Sequence, residues 1–185
     1  MISQRIQAVV DQIKNKSNNV NSKLTIQKIP LNLDEVKSIA EALEHPNNRI
    51  TEVDLSSCDI GDAGAKIIAD SLKHKNCIVT SVDLSGNKIG PEGAKAITAL
   101  FKDSNLKLTY INLRSNKIGI EGAQAIVEAS KEPNCLNQLT HFHVDYEDVG
   151  QDGLTIIANA FNEKKCNIAS LSFLYKELCV KVDKG

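Results

Sequence analysis

Along residues 79–101 the apolar positions change period halfway. Val82 and Leu84 alternate with Ser81, Asp83 and Ser85, the period-two pattern of a half-buried strand, and Ile89 follows as a further inward residue. From Ala94 the spacing lengthens, so that Ala94, Ile97 and Phe101 share one face of a helix. The switch recurs along the chain. Residues 82–97 read VDLSGNKIGPEGAKAI; 111–126 read INLRSNKIGIEGAQAI 29 positions later, and 53–68 read VDLSSCDIGDAGAKII 29 positions earlier. A further copy, FHVDYEDVGQDGLTII at 142–157, follows after a spacing of 31. Helical faces match across the copies: Ala65, Ile68, Ala69 and Leu72; Ala123, Ile126 and Val127; Leu154, Ile157, Ala158 and Phe161. Each unit predicts strand, turn and helix, and self-similarity at this period predicts a stacked array.

Short strands joined by single helices leave no room for an antiparallel return, so they are expected to lie parallel and adjacent. A helix is about 10 Å wide and strands lie about 4.8 Å apart, so the array curves with its strands on the concave side. Gly64, Gly93, Gly122 and Gly153 recur near the helix starts, where a missing side chain predicts close approach of helix to neighbouring strand. Pro91 suits a first helical turn.

The ends of such an array expose a core face and need protection. Ile2, Ile6, Val9 and Ile13 predict an amphipathic N-terminal capping helix within 1–20, followed by the polar stretch KSNNVNS. Residues 24–43 form a degenerate first unit, with Val36, Ile39, Ala40 and Leu43 on its core face. The expected organisation is a cap over 1–20, five units over 21–167 (21–49, 50–78, 79–107, 108–138, 139–167) and an incomplete capping unit over 168–185. In that last unit IASLSF starts a strand, and Leu178, Val180 and Val182 alternate as a closing strand or as an edge open to a partner.

The unit pattern LxxLxLxxNxIGxxGAxxIAxAL resembles the ribonuclease-inhibitor class of leucine-rich repeats, most closely over residues 50–167. The resemblance implies an α/β solenoid, a horseshoe arc with parallel strands on the concave face and α-helices on the convex face. It also implies a non-catalytic role in protein binding. The Asn that bonds the turn backbone in that class is present at Asn87 and Asn116, whereas Ile29, Cys58, Glu147 and Lys176 hold the slot elsewhere. Similar repeats build GTPase-activating proteins of the Ran pathway and the actin-binding repeat domain of tropomodulin. The resemblance therefore leaves two alternatives: a GTPase regulator, with Arg49 or Arg114 acting at the nucleotide, and an actin-binding domain.

Composition narrows the partner more than the fold. With 42% apolar and 24% charged residues in 185, the chain suits one soluble domain. A net charge of -1 without a basic run argues against nucleic acid or an anionic membrane, both of which are held by clustered Lys and Arg. The first 16 residues, MISQRIQAVVDQIKNK, carry charges and no apolar run of leader or membrane-span length, so a cytoplasmic location is expected. Three Arg among 22 basic residues, together with 17 Asn, point to AT-rich coding. Joined to a eukaryotic-looking repeat in a compact chain, this suggests a bacterial effector acting in a host cytosol. The sequence fixes no oligomeric state.

Candidate chemistry is sparse. There is no phosphate-binding glycine loop, no Cys-x-x-Cys, no His-Glu-x-x-His and no nucleophile elbow. Four of the five cysteines have structural addresses: Cys77 and Cys166 precede strands, Cys135 lies in the longer linker, and Cys58 takes the Asn slot. Free buried thiols in a reducing compartment are expected. His141, His143 and Asp145 share a strand face, but a flat face diverges ligands, so neither metal nor cofactor is expected.

The variable concave face carries the binding expectation. It displays Glu52, Asp54 and Ser56; Ser81, Asp83 and Ser85; Tyr110, Asn112 and Arg114; then His141, His143 and Asp145. Asp54, Asp83, Asn112 and His143 fall in one column, with two carboxylates a strand spacing apart and nothing opposite to neutralise them. The expected partner is a protein with basic groups facing Asp54 and Asp83. Its contacts are expected at Glu52, Asp54, Asp83, Tyr110, Asn112, Arg114, His141, His143 and Asp145.

Overall fold

The computed structural model describes residues 2–15, 22–103, 106–131, 140–162, 170–175 and 178–183. Helix α1 (Gln4–Lys14), strand β1 (Lys23–Thr25) and helix α2 (Leu33–Leu43) open the chain. They are followed by β2 (Glu52–Asp54), α3 (Gly61–Leu72), β3 (Ser81–Asp83), α4 (Pro91–Thr98), β4 (Tyr110–Asn112) and α5 (Gly119–Ser130). The chain then forms β5 (His141–Asp145), α6 (Tyr146–Asn162), β6 (Ser170–Tyr175) and β7 (Leu178–Asp183). A 3-10 turn, Ala99–Lys102, extends α4, and Gly150 at φ 70° kinks α6.

The strands make one seven-stranded sheet in chain order, parallel from β1 to β6, with β7 returning antiparallel on β6. The six helices stack in the same order behind them, so the protein is an α/β solenoid with strands on the concave face and helices on the convex one. Val53, Val82, Ile111 and Phe142 are register partners and point into the core. Leu55, Leu84, Leu113 and Val144 add a second inward row, and Ile68, Ile97, Ile126 and Ile157 face them from the helices. Phe101 sets its edge on Phe142, with ring centroids 5.8 Å apart. No helix among the described residues is long and apolar enough to cross a membrane.

Each strand is short because the chain turns sharply after it. Lys28, Ser57, Gly86 and Ser115, spaced by 29, all have φ between 57° and 68°. The first three of these donate N–H to Ser56, Ser85 and Arg114 carbonyls in the next unit, at 2.8–3.0 Å. Beneath them runs a side-chain ladder. Asn87 Oδ1 accepts Cys58 N–H, Asn116 Oδ1 accepts Asn87 N–H, and both amides donate back to the carbonyls of Leu55 and Leu84. The Cys58 thiol, 3.0 Å from Ile26 O, stands in for that amide donor.

Three expectations need correction. In the fifth unit the ladder slot belongs to Asp148 and not Glu147: Asp148 Oδ1 accepts Asn116 N–H at 2.7 Å. Strand β5 runs to Asp145 and passes directly into a helical turn, which moves the slot along by one. The repeated glycines relieve contacts with helices and with their own loop, not with strands. A Cβ on Gly122 would lie 2.3 Å from Ile118 Cγ2 and 3.2 Å from Ala94 Cβ of the preceding helix. In α1 the buried seam is Ile6, Val10 and Ile13, with Val9 only partly covered, so of the i+3 and i+4 positions that share a face with Ile6 it is the i+4 one that is buried.

Side-chain bonds fasten the cap at both ends. The buried Glu35 carboxylate accepts Ser3 N–H at 3.1 Å and Asn32 N–H at 3.0 Å, so one group caps α1 and α2 together. Asn47 Nδ2 donates to Lys14 O at 2.9 Å. Cys58 and Cys77 are free and buried, and burial raises both thiol pKa values. Cys135, Cys166, Lys176 and the KSNNVNS stretch, apart from Ser22, lie outside the described residues.

Candidate functional site

Parallel register aligns the concave face in two rows. Glu52, Ser81, Tyr110 and His141 are successive partners, as are Asp54, Asp83, Asn112 and His143, with Lys23 and Thr25 heading the rows on β1. The column read from the repeats is therefore a physical one.

The carboxylates in it are not bare. Asp54 Oδ1 accepts Ser56 N–H and Oγ–H at 3.1 and 2.8 Å, and Asp83 Oδ1 accepts Ser85 N–H and Oγ–H at 2.8 and 2.6 Å. The second oxygens take Gln27 Nε2 on Asp54 and Asn112 Nδ2, at 2.9 Å, on Asp83. Asn112 repeats the motif by accepting Arg114 N–H at 3.1 Å. This corrects the expectation that nothing faces these charges: an Asx-type bond two residues on holds each side chain, and neutral donors sit between them. Among the described residues neither Asp54 nor Asp83 is paired with a cation, while Glu52 lies 3.8 Å from Lys23.

Toward β5 the face becomes aromatic. The Tyr110 ring lies 5.1 Å from the His143 ring and 6.3 Å from that of His141, and the two imidazoles are parallel within 4° at 6.1 Å. Burial and the nearby Asp83 charge raise the Tyr110 pKa. Thr140 Oγ1 lies 2.8 Å from His141 Nδ1.

Asp145 departs from its expected place on the displayed face. It is buried, its Oδ2 accepts Ser115 N–H and Oγ–H at 2.9 and 3.2 Å, and its Oδ1 lies 3.5 Å from Arg114 Nε. The carboxylate supplies to the Ser115 turn what a main-chain carbonyl supplies to the turns before it. Arg114 is thereby held against Asp145 with most of its side chain covered. Behind this pair Asp148 accepts Asn116 and Asp145 N–H groups, and burial pushes its pKa up to about 7.

Ser81 is the shortest side chain of its neighbourhood. It floors a depression of about 220 Å³ lined by Lys23, Glu52, Asp54, Asp83 and Tyr110. Wider grooves of about 450 and 260 Å³ lie on the outer face between α3 and α4 and between α4 and α5. Lys95, shared by both, is already paired with Glu92 at 2.7 Å and Glu121 at 3.3 Å. No group of three or more His, Cys, Asp or Glu side chains that could hold a metal ion occurs among the described residues.

Lys23, Gln27 and Asp148 were missing from the face read from the sequence, while Ser56, Ser81 and Ser85 were placed on it but not among its expected contacts. The signal for the first two was the 29-residue offset of Leu24 from Val53, which sets β1 in register with β2.

Residues 47–69, 75–97 and 104–127 each match the family model Leucine Rich repeat. No curated protein matches the chain. Among solved structures the chain is similar to Leiomodin-1 Actin-Binding Site 2 (ABS2), with a TM-score of 0.61 and 20% identity, covering 88% of this chain and 93% of that one. Likeness at that identity speaks for the fold alone.

Proposed function

We propose, on the premise that these units are leucine-rich repeats, that the chain is a non-catalytic protein-binding module. Its concave strand face holds a partner protein through basic groups set against Asp54 and Asp83. One observation carries this reading: two register-paired carboxylates stand fixed on an open sheet face and are paired with no cation among the described residues. Because each is already held by its own turn, little side-chain freedom is lost on binding. We further read the units as ribonuclease-inhibitor-like, arranged as five between an N-terminal cap and an incomplete C-terminal unit. The Asn and Lys richness suits an effector delivered to a host cytosol, with a cytoplasmic protein as the plainer setting.

The test neutralises the charge without breaking the turns. Asp54→Asn with Asp83→Asn keeps both Oδ1 acceptors, as Asn112 does naturally, and is expected to lower partner capture at least tenfold. Capture by the wild type is expected to weaken as salt rises, since partly exposed charges are screened. Lys73→Glu with Lys102→Glu on the outer side is the control and is expected to leave capture intact. Loss with the lysine pair and none with the aspartate pair would move the site to the convex face.

Actin binding is the second reading, favoured by the likeness to an actin-binding site. Co-sedimentation of the purified chain with filaments, and its effect on filament-end growth, test it directly. The GTPase reading has less support: of its two candidate residues, Arg114 is engaged by Asp145.

A further inference from the structure

We propose that the depression over Ser81 receives one arginine side chain of the partner, with the guanidinium lying on the Tyr110 ring and its N–H groups directed to Asp54 and Asp83. This rests on the concave-face reading and narrows it to one residue type.

The shape comes from register. Ser81 is paired with Glu52 on one side and Tyr110 on the other, and Asp54 and Asp83 follow two positions along their strands. A short side chain ringed by long ones leaves the depression of about 220 Å³, narrow enough for a single extended side chain. Its walls are preset. Ser56 and Ser85 hold the carboxylates by Oδ1, while each Oδ2 has one neutral donor, Gln27 or Asn112. A carboxylate oxygen accepts two hydrogen bonds, so each Oδ2 can take a further donor. The Tyr110 ring is braced on its far side by His143 and His141. Lys23 closes the rim toward Glu52, which leaves Asp54 and Asp83 as the charge facing the floor.

A ligand group that satisfies this arrangement needs positive charge, donors pointing in two in-plane directions and a flat face for the ring. Guanidinium has all three. An ammonium is a compact, strongly hydrated point charge and offers no face to stack. Neutral rings and carboxylates fail on charge.

The experiment is an NMR titration of the isotope-labelled full chain with two pentapeptides, Gly-Ser-Arg-Ser-Gly and Gly-Ser-Lys-Ser-Gly. The arginine peptide is expected to give saturable shifts at Ser81, Asp83 and the Asn112 side-chain amide, with affinity about two- to fivefold above the lysine peptide. Ser81→Leu fills the depression without changing charge and is expected to abolish the saturable shifts. Tyr110→Leu is expected to erase the arginine preference and Tyr110→Phe to keep it, a pair that decides the matter even if Ser81→Leu fails to fold. Equal affinity for the two peptides, wild-type binding by a folded Ser81→Leu, or no saturable shift overturns the proposal. If partner capture depends on the aspartates while Tyr110→Leu and Ser81→Leu leave it unchanged, the arginine site falls and the broader reading stands. Capture indifferent to the aspartates removes the broader reading instead.

Discussion

Asp148→Asn changes one atom at the end of the side-chain ladder and exposes what a buried acid does there. The folded pKa is about 7 against an ordinary 3.8, with burial as the main cause. Between those values the folded chain keeps a proton that the unfolded chain has lost, so stability falls as pH rises from about 4 to about 7 and is level above. Three units correspond to about 4 kcal/mol at most, and screening at a site close to the concave rim reduces the expected span to roughly 2–3 kcal/mol. The amide can still accept Asn116 N–H through Oδ1, as Asn87 and Asn116 do for their own neighbours. It gives up the bond from Asp145 N–H, a loss of about 1 kcal/mol. The variant is therefore expected to be slightly less stable than wild type at pH 4.5 and more stable by roughly 1–2 kcal/mol at pH 8. Urea unfolding of both proteins at several pH values measures the two slopes, and contributions from groups distant from Asp148 cancel in the difference, which leaves Asp148 and the neighbouring Asp145 charge coupled to it. If both proteins show the same pH slope, Asp148 ionises in the folded chain as it does in water, and the burial argument is refuted.

Two further expectations test the scaffold. Ile97→Asp places an unpaired charge in the continuous core, where Ile97 has no exposed surface, and is expected to cost several kcal/mol and unfold much of the array by circular dichroism; an unchanged melting curve would contradict the packing. Glu35→Gln weakens the carboxylate that caps α1 and α2, at about 1 kcal/mol at pH 7, read by faster amide exchange in α1. Hydrogen bonds from Ser3 and Asn32 hold the Glu35 pKa below its ordinary 4.5, so the wild-type advantage is present above that value and fades as pH falls through the folded one.

Period alone carried most of the fold into view. The repeat offset, 29 residues up to β4 and 31 from β4 to β5, set the strand register, and the register set the column from Asp54 to His143. What it missed arises where a unit departs from its siblings. In the fifth unit β5 runs on to Asp145, which turns inward, and the ladder passes to Asp148; no alternation of apolar and polar residues reveals that shift. The carboxylates looked unopposed because charge counting ignores neutral donors. The Asp-Leu-Ser repeat at 54–56 and 83–85 already held the partner of each, but a serine two residues on reads as surface filler until the turn geometry is known. In α1, Val9 and Val10 stand three and four positions after Ile6, so periodicity admits either on the seam and packing decides for Val10.

Where the strands end, main-chain N–H groups bond forward to the unit that follows, whereas at the strand starts Thr80 and Thr109 N–H bond back to the Thr51 and Thr80 carbonyls. Ile26 and Lys28 give their N–H groups to Asp54 and Ser56, Leu55 and Ser57 to Asp83 and Ser85, and Cys58 and Asn87 to the Asn of the unit that follows. A nascent chain emerging from the ribosome thus presents each turn with its donors open and its acceptors still unmade. At roughly 5–20 residues per second the next unit arrives after a delay of about 2–6 s. Vectorial synthesis makes the leading edge of this protein sticky toward its own continuation, so each unit is finished by the chain that comes after it.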